Sequence, residues 1–352
     1  MAAADHAEAR APLANVSSRR LINLVYRLRE FGILLALVVL ILATTAVQPR
    51  FFSGNELNIV LGNTSILALL ALGEAVVVIS RNVDLSVGSV LGLSAFVSGN
   101  MFGHLHGVSS TVAIVVAFLV GIGVGTACGI VNGALTTIGN VPSLVVTLAT
   151  LYIIRGIDIW IVGGGQVVAS SLPDAFFQIS LKSFHNVPYL AIAVAVVVGL
   201  GAYFMRAFRS GRDLYAIGSN PEAARLVGIH SGRRVFGAFA FSGAMAGIAG
   251  VLWASKYGTL DSTAGLGYEL TVIAAVVVGG VAIFGGSGSV VGAALGALLL
   301  NTILAALYVS GVSPFWTQAI SGMLILVAIT LDRLVSLELT AVLRRRRSAH
   351  AG

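Results

Sequence analysis

Charge is scarce in this 352-residue chain: Asp, Glu, Lys and Arg make up 10% of it, against about 25% in an ordinary soluble domain. It also holds one cysteine, two lysines and seven prolines. With Cys128 alone there is no intrachain disulfide and no cysteine metal cluster. The six histidines show no zinc spacing, and His104 and His106 read as residues of an external loop. Neither Lys182 nor Lys256 stands in the glycine spacing of a phosphate-binding loop, so this chain is not expected to hydrolyse ATP. Gly123-x-Gly125 and Gly286-x-Gly288 lack the strand and downstream acidic residue of a dinucleotide site. No bound cofactor is expected.

What the chain has is apolar surface, 57% of residues, arranged in long unbroken runs such as FGILLALVVLILATTAV at 31–47. A helix crossing the ~30 Å hydrocarbon core needs about 20 such residues, whereas barrel strands would alternate apolar and polar positions. The expected fold is therefore an all-α polytopic membrane protein. Candidate spans fall at 31–48, 56–79, 85–103, 110–137, 142–163, 187–205, 234–254, 268–284, 289–310 and 314–332. The polar start of about 30 residues is too long for a signal-peptide n-region, so 31–47 reads as an uncleaved first span.

Arginine sets the orientation. Arg10, Arg19, Arg20, Arg27 and Arg29 precede the first span; Arg206, Arg209, Arg212, Arg225, Arg233 and Arg234 fill the 206–234 loop; Arg333 and Arg344 to Arg347 follow the last span. By the positive-inside rule all three segments are cytoplasmic, and ten spans place both termini and that loop on one side. The basic balance is thus explained by the membrane rather than by nucleic acid. The chain is expected to divide into a cytoplasmic arm (1–30), a transmembrane body (31–332) that includes the 206–234 loop, and a basic cytoplasmic tail (333–352).

Gly121, Gly125, Gly129 and Gly133 form a four-residue stripe that lets helix backbones approach closely, and Gly288, Gly292 and Gly296 repeat it. A shift of 200 positions matches Ala75 to Val78 with Ala275 to Val278, and Gly88, Ser89, Val90 and Gly92 with Gly288, Ser289, Val290 and Gly292. The match fits an internal repeat, a device common in transporters; shared Ala, Val and Gly composition is the alternative reading.

The longest polar insertion, 206–234, contains a well-marked short helix at 221–227. Asn220 is its N-cap, Pro221 suits the first helical position, Glu222 complements the positive end and Gly228 supplies a left-handed terminator. Ala223, Leu226 and Val227 make a small apolar face beside Arg225 that a partner could cover. A plain surface loop is the alternative reading.

EAARLVG resembles the Glu-Ala-Ala-x-x-x-Gly core of cytoplasmic loops in bacterial ABC importer permeases, and GSNPEAARLVGI is similar to its form in the ribose-type, simple-sugar family. RNVDLSVGS resembles that family's Gly-Gly-Ile-Asp-Leu-Ser-Val-Gly-Ser signature, and ELTVIAAVVVGGVAIFGGSGSVVGAALGA its C-terminal glycine-rich segment. The resemblance runs from 31 to 332. Ser80-Arg81-Asn82 departs from it where many relatives have Gly-Gly; with LYIIRGIDIW and SPFWTQAISG, this is most similar to rhamnose or autoinducer-2 permeases.

The resemblance implies the membrane subunit of an ATP-driven importer. Two permeases would form the pathway, an extracytoplasmic binding protein would deliver the sugar, and ABC ATPase subunits carrying ATP and magnesium would dock on the 213–230 loop. The coupling residues it marks are Asp213, Asn220, Pro221, Glu222, Ala223, Ala224, Arg225 and Gly228.

A neutral sugar asks for hydroxyl partners, and polar residues within the spans are the candidates for its pathway: Asn63, Thr64, Glu74, Asn132, Thr136, Thr147, Thr150, Asn301 and Gln318, with Asp84 and Ser86 at a helix start. Each could instead bond a neighbouring helix. Among intramembrane ionisable groups, Arg155, Asp158 and Glu269 stand beside Glu74. Asp84 is expected to N-cap the third span through the N–H groups of residues 86 and 87 rather than pair with Arg81. An ion-coupled secondary transporter is the rival reading, resting on Glu74. A membrane enzyme would need a catalytic constellation within the spans, and none is found.

Overall fold

Each candidate span from 31 to 310 forms a helix. The structure is a computed structural model that describes residues 14–105, 107–316, 319–320, 322–323, 326–327 and 330. Much of the tenth candidate span, Gln318 and the tail 333–352 lie outside the described residues.

The helices are α1 (Ala14–Val47), α2 (Gly54–Ile79), α3 (Val87–Asn100), α4 (Ser110–Thr137), α5 (Ser143–Val162), α6 (Asp174–Leu181), α7 (Tyr189–Ala207), α8 (Arg209–Ser219), α9 (Pro221–Leu226), α10 (Ser231–Tyr257), α11 (Tyr268–Val278) and α12 (Val290–Val309). Among the described residues, α2, α4, α5, α7, α10 and α12 are long and apolar enough to cross a membrane. The apolar part of α1 (Phe31–Val47) and the eleven-residue α11 are shorter. α1 begins well before its apolar run, so part of the expected arm is helical.

Local sequence fixes the helix ends. Ser53 caps α2 by accepting from the Glu56 N–H, and Glu56 adds negative charge to the first turn. Ser289 caps α12 through the Gly292 N–H at 2.9 Å. Gly163 ends α5 in the left-handed region. α6 and the hairpin of β1 (Ser183–Phe184) and β2 (Val187–Pro188) escape a hydropathy reading because they are short.

α2 is the central helix, enclosed by α7, α10, α11 and α12, and it is buried along nearly all of its apolar length. α7 has the opposite character. Ile192, Val196, Leu200 and Tyr203 lie exposed on it, the surface expected to meet lipid.

The first glycine stripe does what its spacing predicts, against a second stripe on α10. A Cβ on Gly125 would collide with the Gly243 carbonyl and come within 2.7 Å of the Gly247 Cα; one on Gly129 would strike the Phe239 carbonyl. Gly292 and Gly296 bring α12 equally close to α11, against Gly279 and Ala275. Gly125→Leu is therefore expected to lower bundle stability by about 1–3 kcal/mol, the usual cost of forced overpacking. A fall in the thermal unfolding midpoint of detergent-purified protein checks this.

Candidate functional site: a polar hub and the helices that reach it

Seven residues, 80–86, link α2 to α3, and side chains from four helices hold this loop. α2 ends with the Arg81 N–H on the Val78 carbonyl and the Asn82 N–H on the Val77 carbonyl. That wrap needs a left-handed residue, and Arg81 takes it at φ 68°, a position where glycine is usual. Its side chain is exposed while Asp84 is buried at 1% exposure, so the two do not pair.

Asp84 is the centre of a fully internal network. Its Oδ1 accepts from the Ser86 N–H at 3.0 Å and the Ser86 hydroxyl at 2.6 Å, and its Oδ2 accepts from the Ser242 hydroxyl of α10 at 3.3 Å. Asn132 of α4 donates to Ser86 Oγ at 2.8 Å and lies 3.5 Å from Asp84 Oδ1. The Asp84 N–H donates to Glu74 Oε1 of α2 at 3.1 Å. From α5, Ser143 Oγ accepts the Val83 N–H at 3.3 Å, and the Thr147 hydroxyl lies 3.2 Å from the Val83 carbonyl and 2.8 Å from that of Ser143. Thr150 sits one turn on, bonded to the Thr147 carbonyl.

Six of the eleven expected pathway residues are thus brought together: Glu74, Asp84, Ser86, Asn132, Thr147 and Thr150. Gln318 is outside the described residues and the other four are elsewhere, with the Thr64 and Thr136 hydroxyls buried and without a hydrogen-bond partner among the described residues. Asn63 accepts from the Tyr257 hydroxyl at 3.1 Å, and Asn301 lies on α12 with its amide nitrogen buried and unbonded. Asp84 is not the N-cap of α3. The helix starts at Val87 with Ser86 in the cap position, so Asp84 is two residues too early; it closes a side-chain turn onto residue 86 instead. Ser242 and Ser143 belong to the hub and were missed, since a lone serine in an apolar run gives no signal beyond its polarity. Arg155 donates to the carbonyls of Ser262 and Ala264 at 3.0 and 2.8 Å, and stands 3.7 Å from Asp158.

A second helix–loop–helix, α11 to α12, meets the first. The Gly286 N–H donates to the Ile79 carbonyl at 2.9 Å, and Gly285 lies against the Arg81 backbone. These are the two segments that the 200-residue shift aligns. Both touch α8. A Cβ on Gly218 would collide with the Ile79 carbonyl and the Gly286 nitrogen, and the Tyr215 hydroxyl donates to the Gly288 carbonyl at 3.1 Å.

Within the polar insertion the expected short helix is present as α9. Asn220 Oδ1 accepts the Ala223 N–H at 3.0 Å, Pro221 opens the helix, and Gly228 follows it at φ 79° with the Ile229 N–H returned to the Ala224 carbonyl. Glu222, Ala223 and Arg225 are exposed, Leu226 is 89% exposed and Val227 72%, while Ala224 is buried. Asp213 differs from its partners in that list. It is buried and faces α10, where Arg234 grips Oδ2 through Nε at 2.9 Å and Nη2 at 2.8 Å, so it braces α8 rather than offering itself to a partner. α8 itself was not foreseen: its buried Asp213, Leu214, Ile217 and Gly218 alternate with exposed arginines, and mixed polarity hid it from a hydropathy reading.

Glycine-zipped spanning helices, a buried polar hub and an exposed capped helix joined to it define a polytopic membrane transport protein. The chain matches the family described as "Branched-chain amino acid transport system / permease component" over residues 57–329 and belongs to it. It is 34% identical to the autoinducer 2 import system permease protein LsrC of Enterobacter sp. (strain 638), across 86% of each chain. To the LsrC protein of Salmonella paratyphi B it is 34% identical, across 91% of this chain and 90% of the relative; to that of Escherichia coli O9:H4, 32%, across 91% and 92%. No solved structure matches it with significance. The sequence-level resemblance to ribose-type ABC permeases near the autoinducer-2 branch therefore holds, and the chain is a multi-pass permease of the cytoplasmic membrane.

Proposed function

We propose that this permease imports a small, sugar-like, hydroxylated solute of the autoinducer-2 or simple-sugar kind, driven by ATP hydrolysis on a separate ABC ATPase subunit. Two permeases form the pathway and an extracytoplasmic binding protein supplies the cargo. Ten spans with both termini cytoplasmic agree with the arginine distribution. The ATPase carries the nucleotide and magnesium, and α9 is its docking helix.

One observation carries the coupling: α8, joined to α9 through Asn220, ends against both helix–loop–helix segments at Gly218. A push on α9 is thereby delivered to the Asp84 loop and the Gly286 loop at once. The Asp84 hub keeps the first loop rigid so that motion is passed on instead of absorbed, and cargo moves because the two states of the bundle contact it differently. The ion-coupled alternative would leave the α8–α9 unit without a task, and the family is one of transport-system permeases.

Leu226→Glu tests the docking role. It places a charge on an apolar surface that nothing among the described residues covers, so membrane insertion and folding should stay unchanged. Co-purification of the ATPase is expected to fall at least about tenfold, the loss of roughly 1.4 kcal/mol of interface energy. Undiminished recovery of the ATPase would place the docking surface elsewhere.

A further inference from the structure

A cavity of about 520 Å³ opens between α7, α8 and α10. Its walls are apolar, with Leu200 and Phe204 of α7 facing Phe241 of α10, and Leu214 of α8 closes one side. Arg233, Arg234 and Ser210 also line it, so its charged lining is basic. Arg234 is neutralised by Asp213. Arg233 is exposed and has no ion-pair or hydrogen-bond partner among the described residues, which leaves one uncompensated positive charge at the mouth. The cavity adjoins the exposed apolar face of α7, the surface that meets lipid.

We propose that this cleft binds an anionic phospholipid, one acyl chain lying between α7 and α10 and the phosphate held by Arg233 and the Ser210 hydroxyl. The charge selects the occupant. A basic mouth above an apolar slot between spanning helices fits an anionic headgroup with its chain, and a second protein chain would have to bury Arg233 without a partner on this side. The bound lipid lines α8 through Leu214 and Ser210, so it steadies the helix that reaches the two loops. The site does not depend on which solute is carried.

Gly237 supplies the decisive variant, because it lines the cavity and a Cβ added there would meet nothing within 4 Å. Gly237→Phe fills the slot without disturbing the bundle. The measurement is native mass spectrometry of the permease–ATPase complex, stripped of lipid and then given dioleoylphosphatidylglycerol or dioleoylphosphatidylcholine, with gel filtration confirming that each variant is intact. Wild type is expected to retain one phosphatidylglycerol per permease with about fivefold preference over phosphatidylcholine, the effect of one arginine near a membrane surface. Arg233→Gln should abolish the preference, and Gly237→Phe should remove the retained lipid. Equal retention of both lipids by wild type, or unchanged phosphatidylglycerol on Gly237→Phe, overturns the proposal. So does efficient permease–permease cross-linking through Gly237→Cys in a Cys128→Ser background, which would assign the cleft to a second copy.

Discussion

Asp84→Ala is expected to abolish uptake and to destabilise the permease by about 3 kcal/mol or more. The substitution leaves the Ser86 N–H, the Ser86 hydroxyl and the Ser242 hydroxyl without their acceptor in a region closed to water. Each buried donor left unmade costs about 1–3 kcal/mol, with partial relief as serines turn to other carbonyls. The damage spreads because Asn132 bonds to Ser86, and α4 and α10 both lean on this loop. Asp84→Asn keeps the Oδ1 acceptor for Ser86 but presents an amide N–H₂ to Ser242, so it should retain the fold and lose less stability. Thermal unfolding in detergent, beside uptake in cells, separates the two. Wild-type stability in Asp84→Ala would mean that the hub does not hold the loop.

Gly218→Val is expected to uncouple the machine and leave it assembled. Any Cβ at this position meets the Ile79 carbonyl and the Gly286 nitrogen, both backbone atoms that cannot swing aside, so α8 must lift away from the two loops. The displaced helix still carries α9, whose exposed residues are untouched, and the ATPase should still co-purify. Uptake should fall at least about tenfold, equivalent to 1.4 kcal/mol of lost coupling, and the ATPase should no longer speed up when cargo-loaded binding protein is added. The pattern of binding kept and stimulation lost distinguishes a transmission joint from a merely structural glycine. A variant that fails to bind the ATPase would show that Gly218 is needed for docking itself and is not only a transmission joint.

The spanning helices were legible because each is a continuous apolar run, and α4 occupies the very residues its hydropathy marks. The glycine stripes announced close packing but not the partner, since the α10 glycines carry no sign of which helix they meet. α8 was hidden by its own amphipathicity, and α9 was plain because Asn220, Pro221 and Gly228 are local signals that need no tertiary context. The hub falls between these cases. Glu74, Asp84, Asn132 and Thr147 could be picked out as polar residues among apolar ones, yet their convergence on one loop depends on how α2, α4 and α5 pack. Asn63 and Asn301 carried the same signal and lie apart from it. Asp84 could be read as a cap because its spacing to residue 86 is right; the error was in where α3 begins.

The most direct test of ATP-driven import is uptake into proteoliposomes that hold the permease with its ATPase, with cargo-loaded binding protein outside the compartment corresponding to the cell interior and ATP within it. Cargo is expected to accumulate with ATP and to stop when the phosphate-binding lysine of the ATPase is replaced, with or without an imposed proton or sodium gradient. Accumulation driven by such a gradient alone, with the ATPase inactive or missing, would contradict the account.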